Sequence, residues 1–371
     1  MKPHSFVVAC VVAAASSLCT AQSPGVLPPP PPPIAPDTRA QPAAPQAAVP
    51  QPAAPQAREP GFVRQSPRGL EVREGDAAQS RWQADIERLD ADLRLRLLTA
   101  NEPRIDWLAG EIDAADVESQ IRHYAAARTA APGERLYLAS LGVACLQPVR
   151  PTLAPCDAVD RLADWARRDA DNGVPSMLLA GRARQRGQAD TVASYVEQAA
   201  GAPRFDDYWS QHSQRWWEYL RTVDVGVDPA ARAQAAANYG SMHDLAWAQP
   251  LRSVCAEGSA RPDRLRIACA SLGEAMSARG ASFALRRAGA RIAEINAADA
   301  AARATAQSRD ARILTMSARC AQLQPDFATA LESPQAATRA RGVEEFATWA
   351  SAQAQLGEVA SCERVLAAAP R

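Results

Sequence analysis

The chain is 371 residues long, with 41 Lys plus Arg against 41 Asp plus Glu, and only 5% of it is aromatic. A balanced charge excludes the basic surplus that nucleic acid and anionic membrane surfaces select. The single lysine is Lys2, so the chain beyond the leader carries 40 arginines against 41 acidic residues, a charge of −1.

Residues 1–21 read as a secretory signal peptide. Lys2 and His4 precede an apolar run from Phe6 to Leu18, and Cys19-Thr20-Ala21 forms a small-residue cleavage site before Gln22. Neither Cys10 nor Cys19 has the context of a lipidated cysteine. Spanning a bilayer takes about 20 apolar residues, so no transmembrane segment is expected after cleavage. The expected location is periplasmic or secreted, in a bacterium whose GC-rich coding favours Arg and Ala over Lys.

Residues 22–60 are Pro/Ala/Gln-rich. Pro28 to Pro33 is an unbroken hexaproline, and Gln-Pro-Ala-Ala-Pro-Gln-Ala occurs at 41–47 and again at 51–57. Such a stretch has little to bury and lacks backbone donors, which predicts a disordered, polyproline-II-like linker.

Residues 61–371 predict an all-α domain of antiparallel helical hairpins. Apolar residues recur three and four apart, at Trp82, Ile86, Leu89 and Leu93 and at Val159, Leu162 and Trp165. Gly187 and Gly280 follow Arg at helix ends, and Asp228-Pro229 places a cap before a first-turn proline.

Three stretches share a pattern: Leu141-Gly142-Val-Ala-Cys145, Leu179-Ala180-Gly181 running on to Gly187, and Leu272-Gly273 running on to Gly280. The first two starts are 38 residues apart, and Trp165, Ala170 and Gly173 lie between them with the spacing of a second repeat helix. Over roughly residues 134–280 the chain resembles the tetratricopeptide/Sel1-like superfamily. That resemblance implies an α-solenoid that presents a concave binding surface.

Without Cys10 and Cys19, six cysteines remain: Cys145, Cys156, Cys255, Cys269, Cys320 and Cys362. Six allow fifteen connectivities, and the sequence does not choose among them. Pairing along hairpins favours Cys145 with Cys156 and Cys255 with Cys269, which leaves Cys320 with Cys362; Sel1-like secreted proteins are often stapled in this way. With no Cys-x-x-Cys pair and no cysteine-histidine cluster, no metal and no cofactor are expected.

The segment 208–220, YWSQHSQRWWEYL, concentrates the aromatics. On a helix, Phe205, Tyr208, Trp209, His212, Trp216, Tyr219 and Leu220 share an arc of about 120°. We read this arc as a core face, with a ligand groove as the alternative. Trp217 falls about 60° outside the arc and is the residue expected to stay accessible. The candidate binding set is therefore Trp217, Tyr208, Trp209, His212 and Trp216.

No Gly-x-Ser-x-Gly, His-Glu-x-x-His or phosphate-binding glycine loop occurs, and Ser241, His243 and Asp244 are too close in sequence to form a triad on one helix. The leading expectation is a non-enzymatic scaffold that binds another envelope protein. A peptidoglycan or other glycan binder is the alternative, and a lytic-transglycosylase-like enzyme the third.

Overall fold

The computed structural model describes residues 63–65, 71–73, 77–99, 102–112, 116–146, 154–157, 161–223, 226–241, 247–256, 263–323 and 326–368. The signal segment 1–21, the linker 22–60, His243 and Asp244 lie outside them. A short antiparallel hairpin, β1 (Val63–Gln65) and β2 (Glu71–Arg73), comes first. From Ala77 onward each named element is a helix.

α1 (Ala77–Thr99) turns Leu89, Leu93 and Leu97 inward, four residues apart. α2 (Pro103–Ile112) opens on a proline, which fits a first turn that has no use for its N–H, and buries Trp107 and Leu108. Asp116 caps α3 (Val117–Ala130) by accepting from the Glu118 and Ser119 amides at 3.1 and 3.2 Å. α4 (Arg135–Ala144), the short α5 (Ala154–Asp157) and α6 (Arg161–Arg168) follow. Asn172 caps α7 (Gly173–Gln185), which ends at Gly187 in the left-handed region (φ 71°), where glycine carries no steric cost. α8 (Ala189–Gly201) completes the first half.

The second half begins with an extended strap and a 3-10 turn, Trp209–Gln211, leading into α9 (His212–Leu220). Asp228 accepts from the Ala230 amide at 2.8 Å and starts α10 (Pro229–Ser241), as the Asp-Pro step predicts. α11 (Ala248–Cys255), α12 (Asp263–Arg279), α13 (Phe283–Ile295) and α14 (Ala300–Leu323) precede α15 (Phe327–Leu331), α16 (Ala336–Leu356) and α17 (Glu358–Ala368).

Helices adjacent in sequence pack as hairpins: α2 with α3, α7 with α8, α9 with α10, α12 with α13, and α13 with α14. Longer closures join the halves. α12 lies on α8, α11 on α7, and α16 across both α9 and α10. The last is pinned where Arg339 Nε donates to Asp228 at 3.1 Å.

Glycine sets the tightest of these crossings. A Cβ on Gly273 would sit 2.7 Å from the Gly289 carbonyl oxygen, so α12 and α13 approach backbone to backbone. Gly142 faces the Leu162 and Trp165 side chains, where a Cβ would make ordinary contact at 3.4 Å.

The three cysteine pairs are those that the hairpin spacing favours. Cys145 joins Cys156, Cys255 joins Cys269 and Cys320 joins Cys362, with Cα separations of 5.6, 5.5 and 5.6 Å. The first two fasten helix ends to the next helix. The third closes a 42-residue separation and sits in its own small apolar cluster with Phe283, Ile313 and Val359. Among the described residues, no helix is long and apolar enough to cross a membrane.

Candidate functional site

The aromatic segment is not one helix. Residues 204–208 form the strap, Tyr208 takes a left-handed conformation (φ 62°), and α9 begins only at His212. The strap hydrogen-bonds on both sides. The Arg204 amide donates to the Asp171 carbonyl (3.1 Å) and the Gly173 amide to the Arg204 carbonyl (2.8 Å), while the Ala281 amide donates to the Phe205 carbonyl (2.8 Å). Helical periodicity therefore does not run through this segment, because tertiary partners claim its backbone groups.

At the strap's centre is Asp169, fully enclosed at 0% exposure. Its carboxylate accepts from Trp165 Nε1 (3.0 Å), Asn172 Nδ2 (2.8 Å) and Tyr208 Oη (2.6 Å), and it pairs with Arg204. Arg204 also reaches Asp171 (3.0 Å), Asp206 (3.4 Å) and Tyr208 Oη (3.1 Å). Burial, and then the bond to Asp169, pushes the Tyr208 phenol well above its ordinary value. A phenol that accepts from a guanidinium and donates to a buried carboxylate is held in one orientation. This offsets the left-handed backbone at Tyr208.

His212 is also enclosed, at 2% exposure. Its Nδ1 lies 3.1 Å from Glu111 Oε2, Tyr124 Oη donates to the other Glu111 oxygen at 2.5 Å, and the Trp107 ring meets the imidazole edge-on at 5.0 Å. Burial first, and then the negative charge of Glu111, raises the Tyr124 phenol. This group fastens α9 to α2 and α3. His212 does not face solvent, and its geometry is that of a core polar network.

Trp216 is fully buried and stacks on Tyr239 of α10 at 4.4 Å. Trp217, expected from the sequence to be accessible, is not: only 9% of it is exposed. Its indole meets Phe346 edge-on at 5.7 Å, and Phe346 in turn contacts Phe327 (5.4 Å) and Trp349 (5.9 Å). The helical wheel showed one apolar arc because it accounts for a single partner, whereas α9 has several. α10, and at His212 also α2, cover the arc, and α16 covers the side carrying Trp217. Of the five candidates, Trp209 alone is half-buried; Tyr208, His212, Trp216 and Trp217 belong to the core.

The residues that knit this region, Asp169, Arg204 and Glu111, were not among the sequence candidates. Asp169 and Arg204 are 35 residues apart, and nothing local to either announces the other. The readable signal was Asn172 ahead of an apolar helix, which marks a cap. Two further carboxylates lie nearby. Asp207 accepts from Trp247 Nε1 at 2.8 Å, and Glu358, at the start of α17, accepts from the Phe283 amide at 2.8 Å.

Among the described residues, no group of three or more His, Cys, Asp or Glu side chains is placed to hold a metal ion. No family model, no curated protein and no solved structure matches the chain.

Proposed function

We propose that this protein is a secreted or periplasmic, disulfide-stapled helical scaffold of tetratricopeptide/Sel1-like type that binds another envelope protein. The signal-like leader and the linker at 22–60 support an extracytoplasmic site, and three cysteine pairs placed on helix ends suit an oxidising compartment. Sequential hairpins, with α12 and α13 approaching closely at Gly273, support the repeat resemblance.

The observation that carries the reading is the contrast between the interior and the edge. The aromatic and histidine candidates are engaged inside, whereas α14 buries only a narrow seam. Ala306, Asp310, Ile313, Ser317 and Cys320 face the core, and Ala304, Ser308, Ala311, Thr315 and Ala318 on the opposite side are exposed. A 24-residue helix held by Cys320 and by the Arg287–Asp310 pair is a rigid, open surface of the kind scaffolds offer. The glycan reading rested chiefly on Trp217, and that residue is in the core.

The test is photo-crosslinking in intact cells from a benzophenone residue at Ala311 or Thr315, with Ala109 in the core as control. A discrete protein adduct from the α14 positions alone is expected. Adducts only with cell-wall material, or none, would overturn the reading. Amine-reactive reagents are unsuitable because the sole lysine is Lys2.

A further inference from the structure

We propose that the junction of residues 171–173, 204–208, 279–283 and 357–359 is a proton-stabilised clasp. Asp206 and Glu358 hold protons when it is closed, and the clasp loosens as pH rises toward neutrality.

Four chain segments meet here. The strap bonds to the turn before α7 through Arg204 and to the turn before α13 through Phe205. That second turn bonds onward, the Val359 amide donating to the Ala281 carbonyl at 3.0 Å. Glu358 closes the line by capping α13 at the Phe283 amide. These few contacts help tie the first-half hairpins to α12, α13 and α17.

Negative charge exceeds positive charge at this point. Five carboxylates converge: Asp169, Asp171, Asp206, Asp207 and Glu358. Arg204 faces the first three, and Arg135 approaches Asp169 at 3.4 Å. The other two guanidiniums on these turns are engaged elsewhere. Arg279 donates to the Ala200 carbonyl and lies over the Phe205 ring, and Arg286 donates to the Gly280 carbonyl and pairs with Glu363. Among the described residues, Asp207 accepts from the Trp209 amide and the Trp247 indole, and Glu358 from the Phe283 amide, all neutral donors. Asp206, which shares its one guanidinium, and Glu358, whose donor is a neutral amide, both lie beside Asp207, and that crowding of negative charge favours retention of protons on the two of them.

The titration directions agree. Burial, and then the neighbouring Asp207, pushes Asp206 up to about 6. Burial, reinforced by Asp207 and opposed by the Phe283 amide, pushes Glu358 up to about 7. Both values are raised above the ordinary ones of 3.8 and 4.5, so the closed form binds protons that the open form releases. The contribution of Asp206 and Glu358 is thus full below about pH 4, weakens between about pH 4 and pH 7, and is level above that. Asp171, held below its ordinary value by the Arg204 guanidinium, contributes in the opposite sense and only in strong acid.

The test is amide hydrogen exchange at pH 5 and pH 7.5, corrected for intrinsic rates, on the wild type and on Asp207→Asn and Glu358→Gln. Each unit by which a carboxyl is raised is tenfold in the closing equilibrium, so protection at Ala281, Phe283 and Val359 should fall about tenfold or more between the two pH values. Protection in α3 should hold, Glu358→Gln should at least halve the logarithm of the drop, and Asp207→Asn should reduce it. A drop of equal size in α3, no drop, or a drop that both folded variants leave intact would overturn the clasp.

Discussion

Replacing Asp169 with alanine should be among the most damaging single changes to this protein. The side chain is fully enclosed, so its loss strands Trp165 Nε1, Asn172 Nδ2 and Tyr208 Oη together. A buried donor left unsatisfied costs about 1–3 kcal/mol, and removing one partner of a buried ion pair about 3–5 kcal/mol. These penalties overlap, because Asn172 keeps its bond to the Asp206 carbonyl at 2.7 Å and Arg204 keeps Asp171. The expected loss for Asp169→Ala is therefore about 3–5 kcal/mol rather than the full sum. Asp171 is the internal control. Its side chain is 48% exposed, and Asp171→Ala should cost under about 1 kcal/mol although it removes a bond to the same arginine. Urea denaturation followed by far-ultraviolet circular dichroism, with disulfides intact, measures both. If Asp169→Ala lost less than about 1 kcal/mol, or no more than Asp171→Ala, the strap would not depend on this carboxylate.

Trp217→Ala should act through stability, losing about 3–5 kcal/mol because it opens a cavity against Phe346, and the same denaturation experiment reads it. Gly273→Ala forces a methyl group against the Gly289 carbonyl and the Ala293 backbone; a loss of about 1–3 kcal/mol is expected, and wild-type stability would mean that the α12–α13 crossing is looser than described. Replacing Cys320 and Cys362 together by serine releases the longest loop, of 42 residues, and by chain entropy costs about 4 kcal/mol, against about 3 kcal/mol for the 14-residue Cys255–Cys269 loop. Thermal melting of the two double variants should rank them in that order.

The helical class, the Asp228-Pro229 helix start and the Gly187 stop were legible in the sequence, and hairpin spacing favoured the three cysteine pairs without fixing them. Each depends on neighbours: apolar spacing of three and four, a cap beside a proline, or a short loop between cysteines that leaves one pair over. Local chemistry decides such features before any tertiary contact forms. The aromatic segment shows where this legibility ends. Its composition correctly announced a buried cluster around Trp216 and Tyr208, but not that Tyr208 would leave the helical region or that Trp217 would be covered. Both depend on distant residues: Asp169 and Arg204 hold the strap, and α16 arrives from more than a hundred residues later to cover Trp217. A helical wheel assigns one inside and one outside to a helix, whereas packing gives α9 two covered sides. The approach of Glu358 to the consecutive pair Asp206 and Asp207 is likewise invisible along the chain. Only the meeting of four turns brings their charges together, and in doing so makes a proton part of the fold.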